Sequence, residues 1–447
     1  MDSNHPTQES APNQHAAWIQ ALSQQLPSLA LRLASRHRHD HLAHGASNLT
    51  ITSNNAWCSV IFGDGVRVTI RFAMPGHGGI NIEKTRDEAT VMKYLARTTI
   101  LPIPAVFGAG TCSYGPYLVT QSVEGTLLSQ RLEPTVHNPH ADLERAYHCI
   151  AQVLLELSKP TFPVIGALVE NSEEGNWTVS KRPLTANMTD LVEEHDIPPT
   201  AFPNRTFTSA SEYFVDLATQ KLQHLEDQRK QGLIDLADWK EKYIARCLFR
   251  RIAREISTEP GPFRLYCEDF SPANICVLPD STSTSTSTSN NSNRTSPNTN
   301  ADFSVSAVIN WQTTYIAPNE FTTVAPWYLL FQSPEGWTQD LLHFQNEYTP
   351  HLDLFLRVLR SVENKEILKG SLHSSQRLSG KMARSLENGM LLFWFVIAAR
   401  KGVVFDDVYW AFIDGVWFGE LNGLEERLGL LSGEEMGVLD AVLKEGG

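Results

Sequence analysis

No apolar stretch in these 447 residues is long enough to cross a bilayer. The longest, Met390 to Ala399, runs ten residues, about half of what a spanning helix needs, and reads as a buried helix. Cysteine is scarce too. The six (Cys58, Cys112, Cys149, Cys247, Cys267 and Cys276) contain no C-x-x-C pair, which argues against a zinc cage or a disulfide framework and for free thiols in a reducing compartment. Positive charge is in short supply. Lys and Arg total 37 against 50 Asp and Glu, a formal net charge of −13, whereas a nucleic-acid partner calls for clustered cations. The start of the chain has no apolar segment of the kind that directs secretion. These absences together predict a cytoplasmic protein with neither a nucleic-acid nor a membrane partner.

What is present is a chain with 42% hydrophobic residues, enough for two or three units with substantial cores. Residues 1–15 are polar and aperiodic and are expected to be disordered. Trp18, Leu22, Leu26, Leu29 and Leu33 then recur at helical spacing, so a leading helix is expected from Ala16. The cluster His37, His39, His41 and His44 beside Arg36 and Arg38 is expected to be a solvated turn, with metal binding as the alternative. Ala56 to Phe72 reads as a β-hairpin turning at Gly63-Asp64-Gly65. A helix over Lys84 to Arg97 places Glu88 on the same stripe as Met92 and Leu95. A carboxylate facing the interior requires a cation. Pro116 to Ser122 is a further strand, broken at Val123-Glu124-Gly125. Residues 16–122 therefore form one unit and 123–447 a second, helix-rich one, in which 159–210 reads as loop-rich. Aromatic punctuation at Trp394, Trp410 and Trp417 is expected to be core, the alternative being a cage for a quaternary ammonium group.

The most informative stretch runs from 263 to 315. It contains Cys267-Glu268-Asp269-Phe270-Ser271-Pro272-Ala273-Asn274, then Ile275 to Leu278, then a Ser/Thr/Asn-rich tract over 281–300, then Ser304 to Asn310 and Trp311. Asp269 and Asn274 stand at D-x-x-x-x-N spacing, the arrangement with which phosphoryl-transfer enzymes orient an attacking hydroxyl and hold a magnesium ion. Asn274 and Asn310 are 36 positions apart, but only 16 once the 20-residue tract is set aside, the length of a compact hairpin. The tract cannot bury a core and reads as a tolerated excursion at the hairpin tip.

The run from Cys267 to Asn274 resembles the catalytic loop of the aminoglycoside phosphotransferase and choline kinase superfamily, in its divergent fungal branch. Ile309-Asn310-Trp311-Gln312 and the Ala325-Pro326-Trp327-Tyr328 segment are similar to the segments C-terminal to that loop in the same branch, and the resemblance extends from about Ser53 to Gly419. It implies an α+β, two-lobed protein kinase-like fold, with a small antiparallel β lobe and a larger, mainly helical lobe. It also implies ATP and Mg2+ as cofactors and a small-molecule hydroxyl acceptor. In that pattern Asp269 is the catalytic base and Asn274 and Asn310 hold the metal. Arg71, braced by Glu88, grips the phosphates beneath a cover at Ser53, Asn54 and Asn55, and the backbone of Gln121 and Val123 meets the adenine. Three departures bear on catalysis: Asn310 is neutral where the family has a carboxylate, Cys267 replaces a His, and the cover lacks Gly. A unit-charge attraction at 4 Å is worth about 4 kcal/mol at an effective dielectric of ~20, so losing half of it would weaken a metal site more than ~tenfold. Glu268 and Glu320 are the nearby carboxylates that could compensate. Two functions are consistent with this pattern: a phosphotransferase moving the ATP γ-phosphoryl to a small molecule, or a pseudokinase of the same fold that binds nucleotide or a partner with little turnover.

Overall fold

Period-two alternation in two adjacent strands decides which side chains reach the space between the lobes. In the computed structural model, β3 (Asn55–Phe62) turns Ala56, Cys58, Val60 and Phe62 into a core, while β4 (Arg67–Ala73) adds Val68, Ile70 and Phe72 to it. Asn55, Trp57, Ser59, Thr69 and Arg71 therefore face the opposite way, into a cleft. The structure describes residues 11–445 apart from 53–54, 77–78, 133–138, 172–174, 196, 279–302, 331–340, 403 and 421. Asn54 and the tract at 281–300 lie outside the described residues.

Helix α1 (Ala11–His37) covers the back of this sheet with Leu22, Leu26, Leu29, Ala30 and Leu33. The helix thus begins within the segment expected to be disordered. The sheet is antiparallel, in the order β1 (Ala43–Ala46), β3, β4, β6 (Gly115–Gln121), β5 (Val106–Cys112), with β2 (Thr50–Ile51) also on β3. Register sets Trp57 opposite Arg71 and Arg71 opposite Leu118. Helix α2 (Ile80–Thr98) packs on the front and buries Glu88, Met92 and Leu95 as the stripe requires.

The second lobe is mainly helical. Its largest helices are α4 (Pro139–Ser158), α6 (Ala210–Lys230), α7 (Leu236–Glu255), α9 (Leu341–Leu368) and α11 (Glu387–Arg400). This is the α+β, two-lobed architecture that the sequence predicts. No described helix is long and apolar enough to cross a membrane. The stretch 159–210 is more ordered than its composition suggests: it holds the hairpin β8 (Ala167–Asn171) and β9 (Asn176–Lys181), and the nine-residue helix α5 (Ala186–Glu194), capped by the Thr185 hydroxyl. The run Met390 to Ala399 lies in α11 as a buried helix, and Asn388, Gly389 and Met390 at its start all adopt left-handed backbone conformations. Trp394 is fully buried and stacks on Phe412 with ring centroids 4.1 Å apart, so it belongs to the core and builds no cage.

One core position works against stability. Lys221 on α6 is 4% exposed, its ammonium has no hydrogen-bond partner among the described residues and it lies over the Phe405 ring. Burial first, then the Arg246 guanidinium, push its pKa down to about 7. An unfolded lysine keeps its proton to about pH 10. Between about pH 7 and 10 the unfolded chain therefore binds the extra proton, and this residue makes stability rise with pH across that window. Lys221→Met is expected to stabilise the protein by about 1–4 kcal/mol at pH 7 and below and to flatten that rise, measured by urea denaturation across about pH 6 to 9.

Candidate active site

The floor of the cleft is built by two short antiparallel pairs. Strand β11 (Ile275–Val277) pairs with β12 (Val305–Val308), and β10 (Arg264–Cys267) pairs with β13 (Thr314–Ala317). The first pair is the hairpin read from the sequence. The Ile309 N–H donates to the Asn274 carbonyl at 2.8 Å, and the Glu268 N–H to the Thr313 carbonyl at 3.3 Å. Backbone bonds thus tie the loop 268–274 to the segment 309–313 at both ends, and this places Asp269 and Asn310 on one wall.

The cleft above this floor has a volume of about 780 Å³, within the range of small-molecule sites. Asp269 stands in it with 39% of its side chain exposed. The Thr313 hydroxyl sits 3.0 Å from Asp269 Oδ2 and 2.7 Å from the Gln312 carbonyl. Lys401 Nζ is 3.9 Å from Asp269 Oδ1. Thr313 holds a φ of 52° and Asn310 one of 60°. Asn tolerates that left-handed geometry, but for a β-branched Thr it costs on the order of 1–3 kcal/mol. The surrounding bonds hold Thr313 there, and the strained backbone is what aims its hydroxyl at Asp269.

Opposite, Arg71 and Glu88 form the ion pair expected of them. Arg71 Nη1 donates to Glu88 Oε1 at 2.9 Å, and Nη2 meets Oε2. Glu88 is 2% exposed, while Arg71 lines the cleft. Gln121, Ser122 and Val123, where β6 ends, line one edge of the cleft. The Gln121 N–H is already bonded to the Ala105 carbonyl at 2.8 Å, so the backbone of this residue could meet a base only through its carbonyl. Of the cover, Asn55 lines the cleft with its Oδ1 buried and without a hydrogen-bond partner among the described residues. Thr52 donates its N–H and hydroxyl to the Asn55 carbonyl at 2.8 and 2.9 Å.

In this structure the Asn274 side chain turns onto its own loop. Its Oδ1 accepts from the Ser271 N–H at 2.7 Å and from the Ser271 hydroxyl at 3.3 Å, closing a capping box on the loop's own short turn, and it is not among the residues lining the cleft. The compensating carboxylates are elsewhere too. Glu268 is buried, with Oε2 accepting from the Ala186 N–H at 2.5 Å and Oε1 from the Tyr315 hydroxyl at 2.9 Å. Its burial pushes the carboxyl above the usual range. Glu320 Oε1 accepts from the Glu259 N–H at 2.6 Å, away from the cleft wall. Magnesium takes about six oxygen ligands in near-octahedral geometry and is usually anchored by one or two carboxylates. Here the metal side of the cleft offers one carboxylate, Asp269, and one neutral amide, Asn310. Among the described residues no group of three or more His, Cys, Asp or Glu gathers to hold a metal, the histidines at 37–44 included. These side chains do not fit a protein-held divalent cation.

Several cleft residues escaped the sequence reading. Lys84 lies one turn before Glu88 on the same helical stripe, so the argument that singled out Glu88 reaches it as well. Helix α5 supplies Ala186, Thr189, Asp190 and Glu193 to the wall. Lys401 ends the apolar run of α11, whose Arg400 donates to the Glu268 carbonyl at 2.8 Å and braces the loop from behind. Cys267, buried and with its thiol pushed up to about 12 by burial, remains a neutral S–H about 3.9 Å from the Asn310 and Gln312 carbonyls. It is a weak brace for the segment that carries Asn310.

No protein-family model matches the chain, and no curated protein matches it. Among solved structures it is similar to a protein from Thermobifida fusca described as a fructosamine-3-kinase, with 15% identity over 85% of this chain and 97% of that one and a TM-score of 0.44. It is also similar to a macrolide 2′-phosphotransferase from Brachybacterium faecium, with 12% identity over 83% and 92% of the two chains and a TM-score of 0.39. A type I macrolide 2′-phosphotransferase gives 12% identity over 86% and 96%, and a TM-score of 0.37. Likeness at this level decides neither activity nor substrate.

Proposed function

We propose that this chain is a kinase-like phosphotransferase that binds ATP in the cleft between its lobes and passes the γ-phosphoryl group to a hydroxyl of a small molecule. The observation that carries this reading is the placement of Asp269. A half-exposed carboxylate, positioned by a strained Thr313, faces a cleft whose opposite wall presents the Arg71–Glu88 pair and whose edge is a strand-to-loop hinge. Asp269 would accept the proton of the attacking hydroxyl as its oxygen bonds to the γ-phosphorus and the bond from that phosphorus to the β–γ bridging oxygen breaks, with ADP as the leaving group, and Arg71 would neutralise phosphate oxygens. Such reactions depend on positioning and electrostatics, with no covalent intermediate on the protein. Magnesium, where a kinase uses it, supplies charge neutralisation on the phosphates. No step here is assigned to it, because the residues present do not form its cradle.

A second reading is nucleotide binding without turnover. It is favoured by the Asn274 oxygen turned onto Ser271 and by the neutral side chain at Asn310. Purified protein with ATP labelled at the γ-phosphate and a panel of sugars, amino alcohols and aminoglycosides separates the two. The first reading expects ATP binding and label transfer to an acceptor class by the wild type. Binding without transfer, with transfer gained in Asn310→Asp, would establish the second. Absence of ATP binding would exclude both.

A further inference from the structure

We propose that Lys84, in place of a protein-held divalent cation, neutralises the phosphate chain of the nucleotide in this cleft, so that nucleotide binding does not depend on magnesium. The inference rests on the nucleotide-binding reading above and names the group that would serve it. Lys84 is 9% exposed and lines the cleft beside Glu88 and Arg71. A lysine side chain buried to that degree ordinarily places its ammonium on a carboxylate. Three acidic residues share its helix, and each has a cation from elsewhere: Glu83 meets Arg182 at 2.8 Å, Asp87 meets Lys181, and Glu88 meets Arg71. Asp190 and Glu193 line the same cleft, yet Lys84 forms no ion pair or hydrogen bond with them or with any other of the described residues. A largely buried lysine side chain therefore lines an open cavity, and no ion pair or hydrogen bond joins it to a carboxylate among the described residues. The complementary fact is the poor metal side of the same cleft, where Asn274 caps its own loop and Asn310 carries no charge. A lysine ammonium is a compact charge with three donors and is well suited to phosphate oxygens.

The test is calorimetric titration of the full chain with ATP and, separately, with adenosine, each in excess EDTA and in excess MgCl2. The expected result is an ATP dissociation constant that changes by less than about threefold between the two buffers. Lys84→Met should weaken ATP by about tenfold or more while leaving adenosine unchanged, a loss on the scale of one unit charge at the phosphates. Lys84→Arg should recover most of that loss, and its recovery excludes misfolding as the cause. ATP binding that appears only with magnesium overturns the proposal, as does wild-type ATP affinity in Lys84→Met. If adenosine binds under these conditions, only the role of Lys84 has failed. If neither compound binds in any condition, the nucleotide-binding reading itself falls and this inference with it.

Discussion

Asp269→Asn is expected to lower phosphoryl transfer by about two to four orders of magnitude, the usual contribution of a positioned general base, while ATP affinity changes by less than about threefold. The substitution keeps the size of the side chain and an oxygen to accept from Thr313 Oγ1, which lies 3.0 Å from the carboxylate. It removes the basicity alone. The loss should therefore appear in kcat and kcat/KM together, with KM for ATP little changed, in steady-state assays on the acceptor identified from the panel. Near-wild-type turnover in this variant would remove Asp269 from the chemistry. Because Lys401 Nζ is 3.9 Å from Asp269 Oδ1, the variant also frees a cation in the cleft, so any small change in ATP affinity should be a tightening.

Arg71→Met is expected to cost about 3–5 kcal/mol of folding stability, the penalty for leaving one member of a buried ion pair alone. Glu88 is 2% exposed, and Arg71 is its partner in the structure, through both carboxylate oxygens. The loss is to be read from urea denaturation. The double variant Arg71→Met with Glu88→Leu should recover most of it, because an apolar pair of similar volume avoids desolvating either charge. ATP binding should stay weak in the double variant. That outcome separates the pair's part in the fold from its part in the cleft. A single variant as stable as the wild type would mean that water or another cation already serves Glu88.

Much of the architecture was legible because its signals are local. Alternation in 56–72 and the stripe through Glu88, Met92 and Leu95 each follow from the repeat of one element, and so does the pairing of Arg71 with Glu88 once a buried carboxylate demands a cation. The D-x-x-x-x-N loop and the returning strand were legible for the same reason. The capping role of Asn274 went unread although its signal is equally local. Ser271-Pro272-Ala273-Asn274 has the spacing of a capping box, and a side-chain oxygen three residues from an N-cap is in easy reach of that residue's N–H. Helix α5 was hidden for a different reason. Nine residues inside a loop-rich segment carry too weak a periodicity, and the helix is held in place by contacts distant in sequence, such as Ala186 donating to Glu268.

The amino-acid sequence by itself determined the two lobes, the loop at 267–274 and the chemical types available at the cleft, since hydrophobic period and residue identity act over one or two turns of chain. Only the tertiary structure decided which of those groups face the cleft. Glu268 is turned inward by Ala186 and Tyr315, Arg400 comes from the far end of the chain to brace the loop, and Lys84 is left facing the cavity because three neighbouring carboxylates found cations on other elements. Competition among partners brought together by folding is settled by distance and burial, and spacing along the chain encodes neither.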